Sequence, residues 1–242
     1  MRIAIAGGTG TVGSYVVQSL EALGHDVRVL SRGSPTFPVD LRTGAGLAAA
    51  LDGCAVVVDA ANAAKGAQAT LVEGARRLLA AERAAGVTHH VCVSIVGCDL
   101  VPIGYYKVKT AQEAVVVVGD VPWTVVRATQ FHELVAGVLR RLPVFPVPNL
   151  SLRTVAAADV GAALAAVATS PARLGRMSVA GPEVSSFGDL VRIYRRVTGR
   201  RGPVVRVPLP GKVGRALRAG ALTTDTPDVV GKTSFEEWLR TR

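Results

Sequence analysis

The sequence is poor in aromatic residues, which make up 5% of its 242 positions, and it has only three cysteines and no long apolar run. Few aromatics leave little for stacking nucleic-acid bases, and the core has to be assembled from small aliphatic side chains, chiefly Ala and Val. The cysteines Cys54, Cys92 and Cys98 are odd in number and form no C-x-x-C pair, which argues against a disulfide framework; they read as reduced structural thiols. Cys98 falls in a loop expected near an active site, where a reactive thiol would matter most. His89 and His90 are adjacent at the start of an expected strand and face opposite ways, and no other residue completes a set at zinc spacing. No metal is expected. The stretch Ala114–Val118 falls far short of the roughly 20 apolar residues that span a bilayer. Met1 opens directly into a strand-like run with no signal-peptide pattern before it. A cytoplasmic protein without a membrane partner is the expectation.

What is present points to a compact globule, since 49% of residues are hydrophobic. The length suits one α/β domain over 1–242, with residues 143–242 adding sheet-edge elements and a small lobe. The formal charge is +10. The arginines are scattered, with some concentration after Arg192, and accompany no nucleic-acid motif. The surplus reads mainly as surface composition, with a few cations serving an anionic cofactor, and nucleic acid is disfavoured as a partner. A small-molecule substrate is expected, and a homo-oligomer stays open.

The chain is organised around its first thirteen residues. An apolar run through Ala6 reads as a buried strand, and a helix with Val16, Val17, Leu20 and Leu23 on one face begins at Ser14. Between them lies Gly7-Gly8-Thr9-Gly10-Thr11-Val12-Gly13. Gly7 permits the tight turn, Gly10 lets the backbone approach a pyrophosphate, and Gly13 lets helix pack close on strand. The open N–H groups and the positive end of the helix dipole then face the phosphates. Gly7, Thr9, Gly10, Thr11, Val12 and Gly13 are the expected dinucleotide contacts.

The second strand, from Asp26, ends at Ser31-Arg32. An acidic residue there would bind the ribose hydroxyls of NAD, whereas a guanidinium suits the 2′-phosphate of NADP. NADP(H) is therefore the expected cofactor. Residues 36–41 read as a third short strand ending in a turn, with Asp40 and Leu41 placed in the cofactor set. A fourth strand begins at Ala55, and Ala60, Ala61 and Asn62 at its end lie on the carboxyl edge where ligands of open α/β sheets bind. A long helix over Thr70–Ala85 and a strand over Val87–Val93 follow. A helix over Tyr105–Val118 and a strand from Trp123 lead to Ala128, Thr129, Gln130, Phe131 and His132. The next helix has Phe131, Leu134, Val135, Val138 and Leu139 as an apolar stripe. Pro143, Pro146 and Pro148 read as a loop. Asp159 reads as the cap of a helix through Thr169, and a last sheet strand is expected over Met177–Ala180. Alternating strand and helix patterns predict a Rossmann-type doubly wound parallel sheet with a small, mostly helical C-terminal lobe.

Ser94, at the end of the fifth strand, joins Tyr105 and Lys109 in a second constellation. Tyr105 and Lys109 share a helix face. An ammonium one turn away would lower the tyrosine pKa, so that the phenol could protonate a carbonyl oxygen as hydride arrives, with Ser94 orienting that oxygen. Lys109 could also hold the nicotinamide ribose. Tyr106, three residues from Lys109, is an alternative proton donor.

With Gly7–Gly13, Ser94, Tyr105-x-x-x-Lys109 and Arg127–Phe131 in view, the chain resembles the short-chain dehydrogenase/reductase superfamily, and most its atypical, NmrA-like NAD(P)H-binding branch. The tail around Phe235–Leu239 resembles a helical substrate lobe more loosely. The resemblance implies catalysis by Ser94, Tyr105 and Lys109 and NADP selection by Arg32. It implies that the segment Ala128, Thr129, Gln130 and Phe131 borders nicotinamide and substrate; His132, just beyond it, could act on the substrate as an auxiliary acid or base. The expected activity is NADPH-dependent reduction of a carbonyl, quinone or conjugated carbonyl of an apolar molecule. A dinucleotide sensor without turnover, and an isomerase or epimerase using bound dinucleotide, are the alternatives.

Overall fold

A computed structural model describes all 242 residues. Strand β1 (Arg2–Ala6) leads through the glycine turn to α1 (Gly13–Ala22), β2 (Asp26–Leu30) and the short α2 (Leu47–Leu51). Then come β3 (Val56–Asp59), α3 (Glu73–Ala85), β4 (His89–Ile95), α4 (Gly104–Val117), β5 (Trp123–Ala128) and α5 (His132–Arg141). The rest comprises β6 (Phe145–Pro148), β7 (Ser151–Leu152), α6 (Ala157–Ala168), β8 (Gly175–Ala180), β9 (Ser185–Ser186), α7 (Phe187–Thr198), β10 (Val204–Val207), α8 (Gly211–Arg218), β11 (Val229–Val230) and α9 (Phe235–Arg240).

The central sheet has seven strands in the order β11-β8-β5-β4-β3-β1-β2. Chain order reverses on either side of β1 and β3, the arrangement of a doubly wound Rossmann sheet, whose ligand crevice lies beyond the carboxyl ends of the strands. Strand β1 pairs in parallel with β2 and β3, and β3 with β4. No helix is long and apolar enough to cross a membrane.

The chain divides into two units. The first comprises residues 1–94, 104–126 and 161–177. Its core is aliphatic, as the composition requires: Ala4, Leu30, Leu51, Val57, Leu78 and Val125 are closed to solvent. The second comprises residues 95–103, 127–160 and 178–242. Here β6 pairs in parallel with β10, and β7 pairs antiparallel with β9. Phe145 is buried against Tyr194, their ring centroids 6.2 Å apart.

Several local expectations are corrected. Residues 36–41 form no strand; only isolated bridges join Ser31 to Pro38 and Asp40 to Ala45. Pro38 has no N–H to extend a ladder. Conversely, Phe145–Pro148 is a strand. The Phe145 N–H donates to Pro203 O at 2.8 Å, so the alternate residues Pro146 and Pro148 turn their missing N–H groups away from β10. The first turn of the expected Thr70–Ala85 helix belongs to a π-helical segment, Gln68–Val72. Asp159 lies within the first turn of α6, and its carboxylate accepts from the Thr233 N–H at 2.9 Å instead of capping the helix. On α5, Val135 and Leu139 are buried but Leu134 and Val138 are exposed.

Candidate active site

The glycine turn is built as its spacing demands. Gly7 has φ +75°, and a Cβ there would lie 2.8 Å from Ala60 O and from Ala61 Cα. The turn and the end of β3 are thus in backbone contact. A Cβ at Gly13 would fall 2.2 Å from Gly7 O, so only glycine lets α1 begin this close to the turn. Gly10 is less confined, with Gly7 O at 3.1 Å from a Cβ position. Thr9, Gly10 and Thr11 are exposed, and Val12 is buried. No side chain caps α1, and no acidic residue occupies its first turn. The helix therefore presents its dipole and N-terminal N–H groups to this face without an internal anion, a fit for a pyrophosphate.

Ser31, one residue past β2, is half-buried, and Arg32 beside it is exposed. Asp40 is held in its own turn: its Oδ1 accepts from the Arg42 N–H at 2.9 Å. Leu41 packs against the core of the first unit. Past β3, the Ala61 N–H donates to Asp59 Oδ1 at 3.1 Å, and Asn62 is exposed.

The Tyr105 hydroxyl donates to Asn62 Oδ1 at 2.7 Å. Burial pushes the Tyr105 pKa up to about 12, and neighbouring Tyr106 adds to the rise. Lys109 does not offset it. The residue is only 4% exposed, and its Nζ donates to Val93 O at 2.7 Å and to Gln112 Oε1 at 2.5 Å. Gln112 in turn donates to Asp59 Oδ2 at 2.8 Å. The expected lowering of the phenol pKa by Lys109 is thus corrected for the ligand-free protein: the ammonium is drawn to a strand carbonyl. Ser94 is also committed elsewhere, since its hydroxyl donates to Glu113 Oε1 at 2.5 Å in the interior. Arg176 Nε donates to the other oxygen of Glu113 at 2.8 Å.

Glu113, Gln112 and Asp59 are the residues that sequence reasoning missed. A signal existed: Lys109 and Glu113 are four apart on one helix, and Lys109 and Gln112 three apart, so all three share a face. Their strand partners are non-local and carry no such mark.

In the second unit, Ala128 ends β5, and the Thr129 N–H donates to Val179 O at 3.0 Å. The Thr129 hydroxyl and both amide atoms of Gln130 are buried without a hydrogen-bond partner. Buried polar groups are rarely left so, and such atoms suit a ligand's polar groups. Phe131 is half-buried at the start of α5. His132 also has a buried ring atom, Nδ1, without a hydrogen-bond partner. It is closed to solvent, its Nε2 donates to Thr233 O at 3.0 Å, and its ring lies against Phe235 and Trp238. Burial pushes its pKa down, outweighing that hydrogen bond and nearby Asp159. Phe145 and Trp238 are buried in the second unit.

Asp59, His90 and Cys92 each bring a ligand-type atom within 4.8 Å of the others. That is one donor short of a closed tetrahedral zinc site. Asp59 is already bonded to Gln112, and His90 Nδ1 lies 2.8 Å from Glu82. All three cysteines are buried, and none is in a disulfide.

The model of a family described as NAD(P)H-binding matches residues 7–171. The chain belongs to this NAD(P)H-binding family. It is 28% identical to a ceramide reductase of Caulobacter vibrioides (strain NA1000 / CB15N), the match covering 99% of this chain and 84% of that protein. Among solved structures it is similar to the NADPH-dependent quinone oxidoreductase QOR2 of Escherichia coli complexed with NADPH, with a TM-score of 0.84 at 19% identity over 99% of each chain. It is also similar to the UDP-glucose 4-epimerase of Thermus thermophilus in complex with NAD, with a TM-score of 0.73 at 22% identity over 99% and 97% of the chains. At such identities the likeness establishes the NAD(P)-binding Rossmann fold.

Proposed function

We propose that the protein is an NADPH-dependent reductase that delivers hydride to a carbonyl, quinone or conjugated carbonyl of an apolar small molecule. The observation that carries this reading is the Tyr105 hydroxyl, held on Asn62 just past the carboxyl end of β3 and protonated throughout the neutral range. The phenol has a proton to give, which suits reduction, but its raised pKa makes it a weaker acid than an ordinary tyrosine, so on this reading the Lys109 ammonium lowers that pKa when the cofactor binds.

Bound NADPH would supply the hydride. The chain's own residues do the rest. Gly7, Gly10, Gly13 and the open N-terminus of α1 receive the pyrophosphate. Arg32, exposed at the end of β2 with no acidic neighbour in the turn, favours a 2′-phosphate. Tyr105 gives its proton to the substrate oxygen as negative charge develops there. Lys109 holds the end of β4 to α4 through Val93 O, and on this reading it exchanges that carbonyl for the cofactor's ribose on binding. Ser94 fixes Glu113, and with it the face of α4 that carries Lys109. The names of two similar proteins, a ceramide reductase and a quinone oxidoreductase, support reduction of an apolar carbonyl or quinone.

A second reading, a dinucleotide sensor without turnover, is favoured by the internal engagement of both Ser94 and Lys109. One experiment separates them: loss of reduced-nicotinamide absorbance on incubation with a panel of quinones, aliphatic ketones and long-chain keto compounds. Consumption with an apolar carbonyl is expected. Tight NADPH binding with silence across the panel would give the protein to the sensor reading. Interconversion of a substrate without net consumption would give it to an isomerase or epimerase.

A further inference from the structure

The positive charge of the chain is not spread over it. Residues 190–224 contain nine Lys and Arg and no Asp or Glu. The remaining residues carry 19 basic side chains against 18 acidic ones, so the surplus resides almost wholly in this one stretch of the second unit.

Within the stretch, β10 and α8 follow one another with most of their side chains exposed. Val204, Val205 and Val207 of β10 are 48%, 45% and 37% exposed. Three uncovered β-branched residues in a four-residue strand are an apolar cost that a water-facing element does not need. On the strand Arg206 shares a face with Val204, and Val205 and Val207 lie on the opposite one; Lys212 and Arg215 follow on α8, and all three cations are exposed. The ion pairs nearby are made by Arg192 with Asp189 and by Arg196 with Glu236, and Arg206, Lys212 and Arg215 are left without an acid. The helix is braced on its own preceding turn. A Cβ at Gly214 would lie 1.7 Å from Leu209 O, and Arg218 donates to that same carbonyl. Helix and turn are thus packed backbone to backbone, with Val213, Ala216 and Leu217 half-buried beneath the cations.

Interleaved cations and uncovered valines meet two different needs of one partner. Phosphate headgroups take the guanidinium and ammonium groups, and the interfacial region of the bilayer takes the apolar side chains. Other occupants fit less well. Residues 195–234 contain no Phe, Tyr or Trp to stack on bases, and valines gain nothing from a phosphate backbone. Edge pairing with a second copy is opposed by Pro203 and Pro208, which flank β10 and offer no N–H. We infer that residues 201–218 dock the protein on an anionic phospholipid surface, as a peripheral contact.

The test is flotation of the full chain with phosphatidylcholine vesicles, with and without about 30% phosphatidylglycerol. Flotation with the anionic vesicles, weakened by salt and nearly absent with phosphatidylcholine alone, is expected. The R206E/K212E/R215E variant should lose about thirtyfold or more in vesicle affinity, and V204S/V205S/V207S several-fold. Both should keep NADPH binding unchanged, which separates a lost surface from a lost fold. Failure of the parent protein to float with anionic vesicles would overturn the inference, as would undiminished flotation of either variant. Duplex DNA binding with the same cation dependence, and no vesicle binding, would assign the patch to nucleic acid instead.

Discussion

Tyr105 donates its hydroxyl hydrogen to Asn62 Oδ1 across 2.7 Å, tying the start of α4 to the segment that leaves β3. The two residues lie 43 positions apart, and neither would be chosen as the other's partner by spacing. The contact puts a phenol with a raised pKa beside the edge of the sheet where Gly7 touches Ala60 and Ala61. The glycine turn and the Tyr105 hydroxyl thus both adjoin the segment that leaves β3 within the first unit.

Replacing Tyr105 with Phe should leave NADPH affinity within about twofold while turnover falls about 10²- to 10⁴-fold, the usual contribution of a positioned general acid. Fluorescence titration and steady-state kinetics read the two quantities separately. Undiminished turnover would assign the proton to another group, with Tyr106 the first to examine. In the ligand-free protein, NMR of labelled tyrosine should place the Tyr105 titration at about 12. If Lys109 leaves Val93 O on cofactor binding, that titration should move down when NADP is added.

On the proposed reading, Arg32 carries the choice of cofactor. A guanidinium bonded to a 2′-phosphate contributes the strength of a charge-assisted pair, about 1.5–3 kcal/mol. R32A should thus weaken NADPH about tenfold or more and leave NADH nearly unchanged. Calorimetric titration with both nucleotides checks this. Equal weakening of the two would mean that Arg32 supports the turn and does not read the phosphate.

The parts legible in the sequence are those whose cause is local. Gly7–Gly13 could be read because strand, turn and helix follow one another within a dozen residues and each glycine answers a nearby backbone atom. The alternation up to α5 was legible because buried strands and amphipathic helices have different periods. The errors occur where a distant partner decides. Phe145–Pro148 looks like a loop until β10, some sixty residues on, supplies its ladder. Lys109 looks free to reach Tyr105 until Val93 O and Gln112 claim its ammonium. Ser94 looks free until Glu113 accepts its hydrogen. Leu134 and Val138 match an inward stripe by spacing, yet the stripe that packs runs through Val135 and Leu139. Periodicity gives a face without saying how much of it is covered.

Two glycines of the turn should separate folding from binding. At Gly13 an added Cβ meets the Gly7 carbonyl oxygen at 2.2 Å, a backbone clash that no rotamer relieves. G13A should lower stability by about 1–3 kcal/mol, as overpacking does, and abolish dinucleotide binding. At Gly10 the nearest atom is 3.1 Å away. G10A should therefore melt close to the parent protein while binding NADPH less tightly, because the methyl occupies the space of the approaching pyrophosphate. Thermal melts with and without NADPH test both. A G10A variant with unchanged affinity would remove this turn from the phosphate site.

Stability should fall as the pH drops below about 6.5, and His132 should be one cause. Its pKa is pushed down by burial, and the pKa of His89 is pushed down in the same way. As the pH falls through the ordinary histidine value, the unfolded chain takes up protons that the folded protein refuses, so folding loses free energy with every further step. The contribution of His132 is thus fully present above the unfolded-state pKa and is lost as the pH falls through and below it. His90 works in the opposite sense. Although its burial favours the neutral ring, the charge of Glu82 outweighs that burial and holds the His90 pKa well above the ordinary value. Its stabilisation is complete below the unfolded-state pKa and is lost only as the pH rises through the raised one. Below pH 6.5 it therefore cannot offset His132. H132F should make the acid limb shallower. Its ring would keep the apolar contacts with Phe235 and Trp238 but would leave Thr233 O without its donor, at a cost of about 1–3 kcal/mol at neutral pH. Urea denaturation from pH 8 to pH 5 reads slope and offset together. A slope equal to the parent's would show that His132 takes up its proton alike in the folded and unfolded chains, and would move the acid sensitivity to His89.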